Sequence, residues 1–476
     1  MFPYPYLCDR DINKLLKLDK GVLLRMAVKP ENWATMTPEE KRTWRLENFR
    51  NSGKNIKFVS KEAEKNYNTR VKRMIDVYNI REPDRVPLSV FPGNLPLTMA
   101  GLEGRDMFYN PAGACEAAMK FNDKYSDELE SFTLAASVLT GQFMEALDYK
   151  LYLWPGHGLP GSAGGWQYIE GEYMLADEYD DLIRDPSDFW LRKYLPRVMG
   201  AWQPFSLFQP FTNIIENVHL ATLAPFARPQ VKNMFQTFIK AGEIWQQASD
   251  AVAPYMGIGL TRGFAATPGA FCLAPFDIIG DTLRGTTNIM KDMFRRPQKL
   301  LAALDVITEI TIHNVLNNPG IDNACLVGYP LHKGADGWMS QSQFEKFYWP
   351  SLKKVMDTFI KEGMIQSLFA EGSYNTRLEH INQFPKGTVT WYFDQTDMAK
   401  AKRILGKDCC IQGNVPSSLL VTGDPAAVKD YCKKLIETCA PGGGYILAPG
   451  AHPENPKIEN LKAMVETVNK YGYYHK

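Results

Sequence analysis

The chain reads as an α/β protein built on a TIM (β/α)8 barrel of residues 81–476, with an N-terminal helical extension over 1–80 and a long aromatic-rich insertion at about 150–270. Three observations predict this. The last third of the chain alternates helical and strand patterns, its 476 residues suit a barrel better than a small doubly wound domain, and the alternation is broken by a stretch rich in Trp, Phe and Met. A doubly wound parallel sheet is the alternative arrangement of the same units.

The extension is charged and helix-prone. TPEEKRTWRLENFR, residues 37–50, offers a Thr cap, proline at the first helical position and acids in the first turn. After a turn-prone Pro-Asp pair comes RVPLSVF, residues 85–91, an apolar, β-branched run that predicts the first buried strand. FEKFYWPSLKKVMDTFIKEG then MIQSLFAEG reads as helix then strand, and the order repeats in LEHINQFPKG then TVTWYFD, AKRILG then CCIQGNV, and PAAVKDYCKKLIETCAPGGG then YILAPG. Such units build a parallel sheet. The insertion contains WPGHGLPGSAGGWQYIEGEYMLADEYDDLIRDP and AWQPFSLFQPF, which predict a lid or pocket wall, with extra core or a homodimer surface as the alternative. For its acidic group, Glu170, Glu172, Asp177 and Glu178, a solvated lid is the expectation.

Composition excludes several classes. With 54 basic and 53 acidic residues the net charge is +1, so there is no electrostatic footprint for nucleic acid or an anionic membrane. MFPYPYLCDR lacks the basic start and apolar core of a secretory signal, and no run approaches membrane-spanning length, which predicts a cytoplasmic protein. The eight cysteines, Cys8, Cys115, Cys272, Cys325, Cys409, Cys410, Cys432 and Cys439, form no CxxC pair and are expected to be reduced core residues.

A barrel keeps its chemistry at the carboxyl ends of its strands. These ends nominate His332, Lys333 and Asp336 after CLVGYPL, Glu371 after SLF, Asp394 and Asp397 after TVTWYF, Gln412 and Asn414 around CCIQGN, and His452 after YILAPGA. Capping competes as an explanation, most directly for Asp397, which precedes a helical run, and also for Glu371 ahead of RLEHI. Of the histidines, His313 and His380 sit in helical patterns and read as structural, whereas His157, His332 and His452 stand in Gly/Pro-rich or strand-end segments.

RVPLSVF, LRGTTNIMKDMFRRPQKLLAALDVIT, GWMSQSQFEKFYWPSLKKVMDTFIKEG, QGNVPSSLLVTGDPAAVKDYCKKLIETCAPGGGYILAPG and PENPKIENLKAMVETVNKYG together resemble the uroporphyrinogen decarboxylase superfamily over roughly residues 80–476. The resemblance implies a TIM barrel and one of two chemistries. Decarboxylases of this superfamily hold a polycarboxylate with an arginine-rich loop after the first strand, where FPGNLPLTMAGL has no arginine, and their late GHG motif is replaced by ILAPGAHP. Its other branch exchanges methyl groups with a corrinoid. The thiol-methylating members of that branch hold zinc through His-x-Cys and a later Cys, positions matched here by Phe369, Glu371 and Ala451.

The resemblance therefore implies a corrinoid-dependent methyltransferase of the O-demethylase type, acting on a small, largely apolar methyl donor such as an aromatic methyl ether. Glu371, His332 and Asp394 are its catalytic candidates, and Tyr374, Asn375, Arg377, Gln412, Asn414 and His157 its substrate-binding candidates. If zinc is held, Glu371, His332 and His452 would supply harder, oxygen-rich ligation. No DxHxxG corrinoid motif occurs, so the cobalamin is expected to arrive on a partner corrinoid protein or to bind transiently. The alternatives are a decarboxylase or other lyase that uses Arg377, Lys333 or Arg262 as anion partners, and a barrel that binds a tetrapyrrole or corrinoid partner without chemistry.

Overall fold

A computed structural model describes residues 27–135, 137–212 and 216–474. The signal-sequence reading of residues 1–10, and Cys8 with it, lie outside the described residues. Six strands form one parallel sheet in sequential order: β1 (Gly269–Phe271), β2 (Leu326–Leu331), β3 (Ile365–Ala370), β4 (Val389–Phe393), β5 (Cys410–Gln412) and β6 (Tyr445–Ile446). Helices Pro297–Leu316, Trp349–Lys361 and Pro425–Cys439 pack among the crossovers, as the alternation predicts. The architecture is a TIM barrel.

Register decides what the strands present. Leu331 pairs with Ala370 and Ala370 with Phe393, so the three residues that follow, His332, Glu371 and Asp394, leave the sheet at one level. This follows from parallel pairing alone, since each strand ends where its neighbour ends.

RVPLSVF is extended but is not a full strand. Leu88 makes one parallel bridge to Leu447, and the backbone N–H groups of Ser89 and Leu447 donate to Leu447 and Pro87. Pro87 brings no N–H to the ladder, which limits the pairing. The segment nevertheless lies beside β6, and Ser131 Oγ donates to Val90 at 3.2 Å, bringing residues 131–135 alongside.

The helix at Pro38–Asn51 starts as its sequence predicts, with a Thr37–Glu40 capping box. With Lys61–Tyr78 it covers the amino end of the barrel, where Leu46, Phe49, Tyr67, Val71 and Ile75 share a buried cluster with Cys325, Ile365, Cys410 and Ile446. Arg45 is buried among them and donates to the carbonyls of Ile321, Ala324 and Glu362. All seven described cysteines are free and buried. Among the described residues no helix is long and apolar enough to cross a membrane.

The insertion is mostly helical, with a small sheet in which Tyr152–Pro155 lies between Gly158–Leu159 and Gln167–Tyr168. Its acidic group departs from the expectation of a solvated lid at Glu178, whereas Glu170, Glu172 and Asp177 are exposed as expected. Glu178 is buried against Arg197 and Lys193, Glu172 meets Arg284 at 2.5 Å, and Glu170 accepts from the Thr286 backbone. Arg284 and Asp292 are themselves buried, 2.6 Å apart, and Tyr179 donates to Asp292 at 2.9 Å. Glu170 and Glu172 attach the insertion to the stretch that follows β1, while Glu178 pairs within the insertion. Charges this deeply buried persist because each has a partner.

Candidate active site

At the barrel mouth the geometry grows out of residues 275–286. Pro275–Asp277 opens a helix that widens to π geometry at Ile278–Arg284, so Asp277 and Asp281 both face the end of β2. Asp277 is fully buried. It accepts the backbone N–H groups of His332 and Lys333, each at 3.0 Å, and the Tyr348 hydroxyl at 2.8 Å. Its carboxyl thereby fixes the turn that presents His332.

Asp281 takes the next layer. His332 Nδ1 donates to it at 2.6 Å, and Lys333 Nζ stands 2.5 Å from its other oxygen. Lys333 also donates to Thr286 Oγ1 at 3.1 Å and lies over the Trp338 ring. Room for its stem comes from Gly280, where a Cβ would meet Lys333 Cε at 2.6 Å. On the far side of the imidazole, His332 Nε2 faces Glu371 Oε1 at 3.7 Å. Glu371 stands at the start of a turn made by Gly372, whose φ of +76° favours glycine and whose N–H donates to Asp394 Oδ2 at 3.1 Å.

The electrostatics follow from these contacts. Burial, joined by Asp281, raises Asp277 to about 6. For His332 burial works downward, but the Asp281 hydrogen bond and the charges of Asp277, Asp281 and Glu371 lift it to about 9. Asp281 lies below its ordinary value, because His332 and Lys333 outweigh its burial. Glu371 is raised by burial and by the charges of Asp281 and Asp394, against the lowering effect of His332 and Lys333. The mouth thus holds an imidazolium beside a carboxyl inclined to keep its proton, a pair suited to proton donation.

The other candidates divide by position. Asp394 adjoins Glu371 through Gly372. Asn414 Nδ2 donates to the carbonyls of Asp394 and Thr396 and so shapes that turn. Gln412 ends β5 beside Tyr392 and Ile446. Asn375 ties its own turn to the next helix, through Ser373, the Asp397 N–H and Lys400. Tyr374 is buried with Tyr348 around Gly334. Arg377 is 1% exposed, and its guanidinium is spent on Gln341, Met339 and Gly334 while lying over Phe344. His157 stacks on Trp154 at 4.1 Å and faces Glu145 at 3.6 Å, within the insertion's outer sheet.

Capping is settled too. Asp397 caps Met398–Leu405 through the Lys400 N–H, whereas the short helix Leu378–Ile381 has no side-chain cap, so Glu371 does not serve it. Asp277 and Asp281 were not singled out from the sequence. The available signal was a pair of aspartates four apart in an otherwise apolar run, FDIIGDTL.

The ligand set expected for zinc is not assembled. His332 and Glu371 supply two donors, with Asp281 in the outer position that usually orients a metal-bound histidine. His452 instead packs on Phe91, with ring centroids 4.0 Å apart. Among the described residues no group of three or more His, Cys, Asp or Glu is disposed to hold an ion. The donor set falls short of a structural or catalytic zinc site.

Residues 261–471, which contain every group of this mouth from Asp277 to His452, match the family model described as uroporphyrinogen decarboxylase (URO-D). The match spans less than half of this chain, and over that stretch the chain is similar to the URO-D family. Among known proteins, it is 24% identical over 292 residues to the uroporphyrinogen decarboxylase of Actinobacillus succinogenes, covering 59% of this chain and 77% of that protein. It is 27% identical over 222 residues to that of Actinobacillus pleuropneumoniae serotype 5b, covering 45% of this chain and 60% of that enzyme. Among solved structures, a methyltransferase from Methanosarcina mazei shares the fold with TM-score 0.51 and 17% identity, over 84% of this chain and 98% of its own. The family match leaves out the N-terminal helices and nearly all of the insertion.

Proposed function

We propose that this protein is a methyltransferase that removes a methyl group from an oxygen of a small, largely apolar donor, such as an aromatic methyl ether, and passes it to a reduced corrinoid delivered by a partner protein. The corrinoid enters as the second substrate and supplies the nucleophile. The methyl carbon–oxygen bond breaks with its electron pair going to oxygen, and that oxygen takes a proton from Glu371 or from the His332 imidazolium beside it. Asp281 and Lys333 hold His332 in place, and Asp394 keeps the Glu371 turn closed. No step passes through a metal.

The observation that carries this reading is the fate of the cations. A decarboxylase acting on a polycarboxylate needs free guanidinium or ammonium groups to bind it. Lys333 is buried against Asp281, Arg377 is buried on carbonyls and Gln341, and Arg262 pairs with Asp123 at 2.6 Å while lying over Phe132. All three expected anion partners are already engaged, while the acid pair at the mouth remains. The fold shared with the Methanosarcina mazei methyltransferase supports the same branch.

The test supplies the protein with 2-methoxyphenol and a reduced corrinoid protein and follows methylated corrinoid by absorbance and catechol by chromatography. Equal amounts of the two products are expected. Release of carbon dioxide from aromatic or tetrapyrrole carboxylates without corrinoid would replace this reading with the decarboxylase one.

A further inference from the structure

Strand ends β2 to β4 and residues 277–286 supply the polar half of the mouth, whereas the other half is aromatic. Phe91 and His452 lie against each other at the ends of the first and last strand positions, and burial lowers His452 to about 4, so that pair is uncharged near neutrality. From the insertion, Tyr152 meets Trp166 with ring centroids 5.1 Å apart and Tyr168 at 5.4 Å, while Trp166 also meets Phe108 at 5.9 Å.

The insertion that carries these rings is fixed to both sides of the mouth. On one side the Tyr168 hydroxyl donates to the backbone carbonyl of Asp281, the residue that orients His332. On the other, Gly164 lies so close to the turn after RVPLSVF and the loop after β6 that a Cβ there would meet Asn94 Nδ2 at 2.6 Å and Glu454 Oε2 at 2.8 Å. Between these anchors Tyr152 is within electrostatic reach of the Asp281 carboxylate, which adds to the effect of burial on its hydroxyl. Trp166 is 45% exposed although Phe108 and Tyr152 both pack against it. A large ring packed on two other rings and left half in water suits the stacking of a further ring.

We propose that Tyr152 and Trp166 are specificity-determining residues, forming a stacking platform for the aromatic ring of the methyl donor at the edge of the His332–Glu371 pair. The inference rests on the methyl-transfer reading for the identity of the ring. It adds where that ring binds, and it assigns the selection of aryl over alkyl donors to a part of the chain outside the family match.

Calorimetry with 2-methoxyphenol and with its open-chain counterpart 2-methoxyethanol tests the platform without turnover. Wild-type protein is expected to bind the aryl ether and to show no measurable heat with the alkyl one. Trp166→Ala and Tyr152→Ala are expected to weaken aryl binding roughly tenfold each, and Trp166→Phe to restore most of it. Circular dichroism melts confirm that each variant is folded, and Trp166→Phe with Tyr152→Phe carry the test if an alanine variant is not. Aryl binding within twofold of wild type in both alanine variants would overturn the proposal, as would equal or absent binding of the two ethers by wild type. Tight aryl binding without methyl transfer would remove the assigned reaction and keep the platform. Methyl transfer that ignores both substitutions would do the reverse.

Discussion

The two ends of the barrel are closed in opposite ways. At the amino end, helices 38–51 and 61–78 seal the strands with an apolar cluster, and even the charge there, on Arg45, is used up on carbonyls. At the carboxyl end, the insertion is attached by polar points such as Tyr168 to Asp281 and Glu172 to Arg284, and it leaves aromatic faces half open. Continuous apolar closure supplies stability but offers no chemistry. Closure by a few polar anchors leaves room beneath it for groups whose ionisation matters.

The comparison breaks first at the amino end if it is wrong. Phe49→Ala, in a residue 2% exposed, should cost about 3–5 kcal/mol in urea unfolding, while the transfer rate of the folded fraction stays unchanged. A change in rate per folded molecule would show that the two ends are not separate in function.

At the carboxyl end, Asp281→Asn should lower methyl transfer by roughly a hundredfold, within the range for a disrupted proton donor. It should also destabilise the fold by about 3 kcal/mol, because Lys333 would remain buried without its partner. Single-turnover rates beside urea melts separate the two effects. A stability loss with a normal rate would make Asp281 a purely structural residue.

Proton linkage sharpens the contrast further. His332 rises from 6.5 to about 9 in the fold, so the stability it contributes is complete below pH 6.5 and is lost as the pH climbs through 9. Melting temperature followed over that window should fall more in wild type than in His332→Gln. Parallel curves would mean that the imidazolium is not favoured by the fold.

Smaller effects mark the rim. Tyr168→Phe removes one hydrogen bond to Asp281 and should cost about 1 kcal/mol. His157→Ala, on the exposed outer sheet, should leave melting within about 0.5 kcal/mol and transfer unchanged. A large activity loss in the latter would bring His157 into the mouth after all.

Much of the carboxyl end was legible in the sequence, and for one reason. Parallel strands in register end at one level, so reading strand then polar residue was enough to gather His332, Glu371 and Asp394. The same logic could not find Asp277 and Asp281, which stand just before and within a π-turn inside an apolar run and reach the site through the fold of that turn. Nor could it show that Arg377 is buried or that His452 turns to Phe91, since both depend on long-range packing. Glu178 misled for a related reason: its partner Arg197 is remote enough in sequence that no local pattern announces it.

The most direct measurement is single-turnover methyl transfer from 2-methoxyphenol to a reduced corrinoid protein by wild type and Glu371→Gln, with both shown to be folded. The account predicts that wild type forms methylated corrinoid and catechol together and that Glu371→Gln slows both by at least about a hundredfold. Transfer by Glu371→Gln at the wild-type rate would contradict it, because the proton would then reach the leaving oxygen without Glu371.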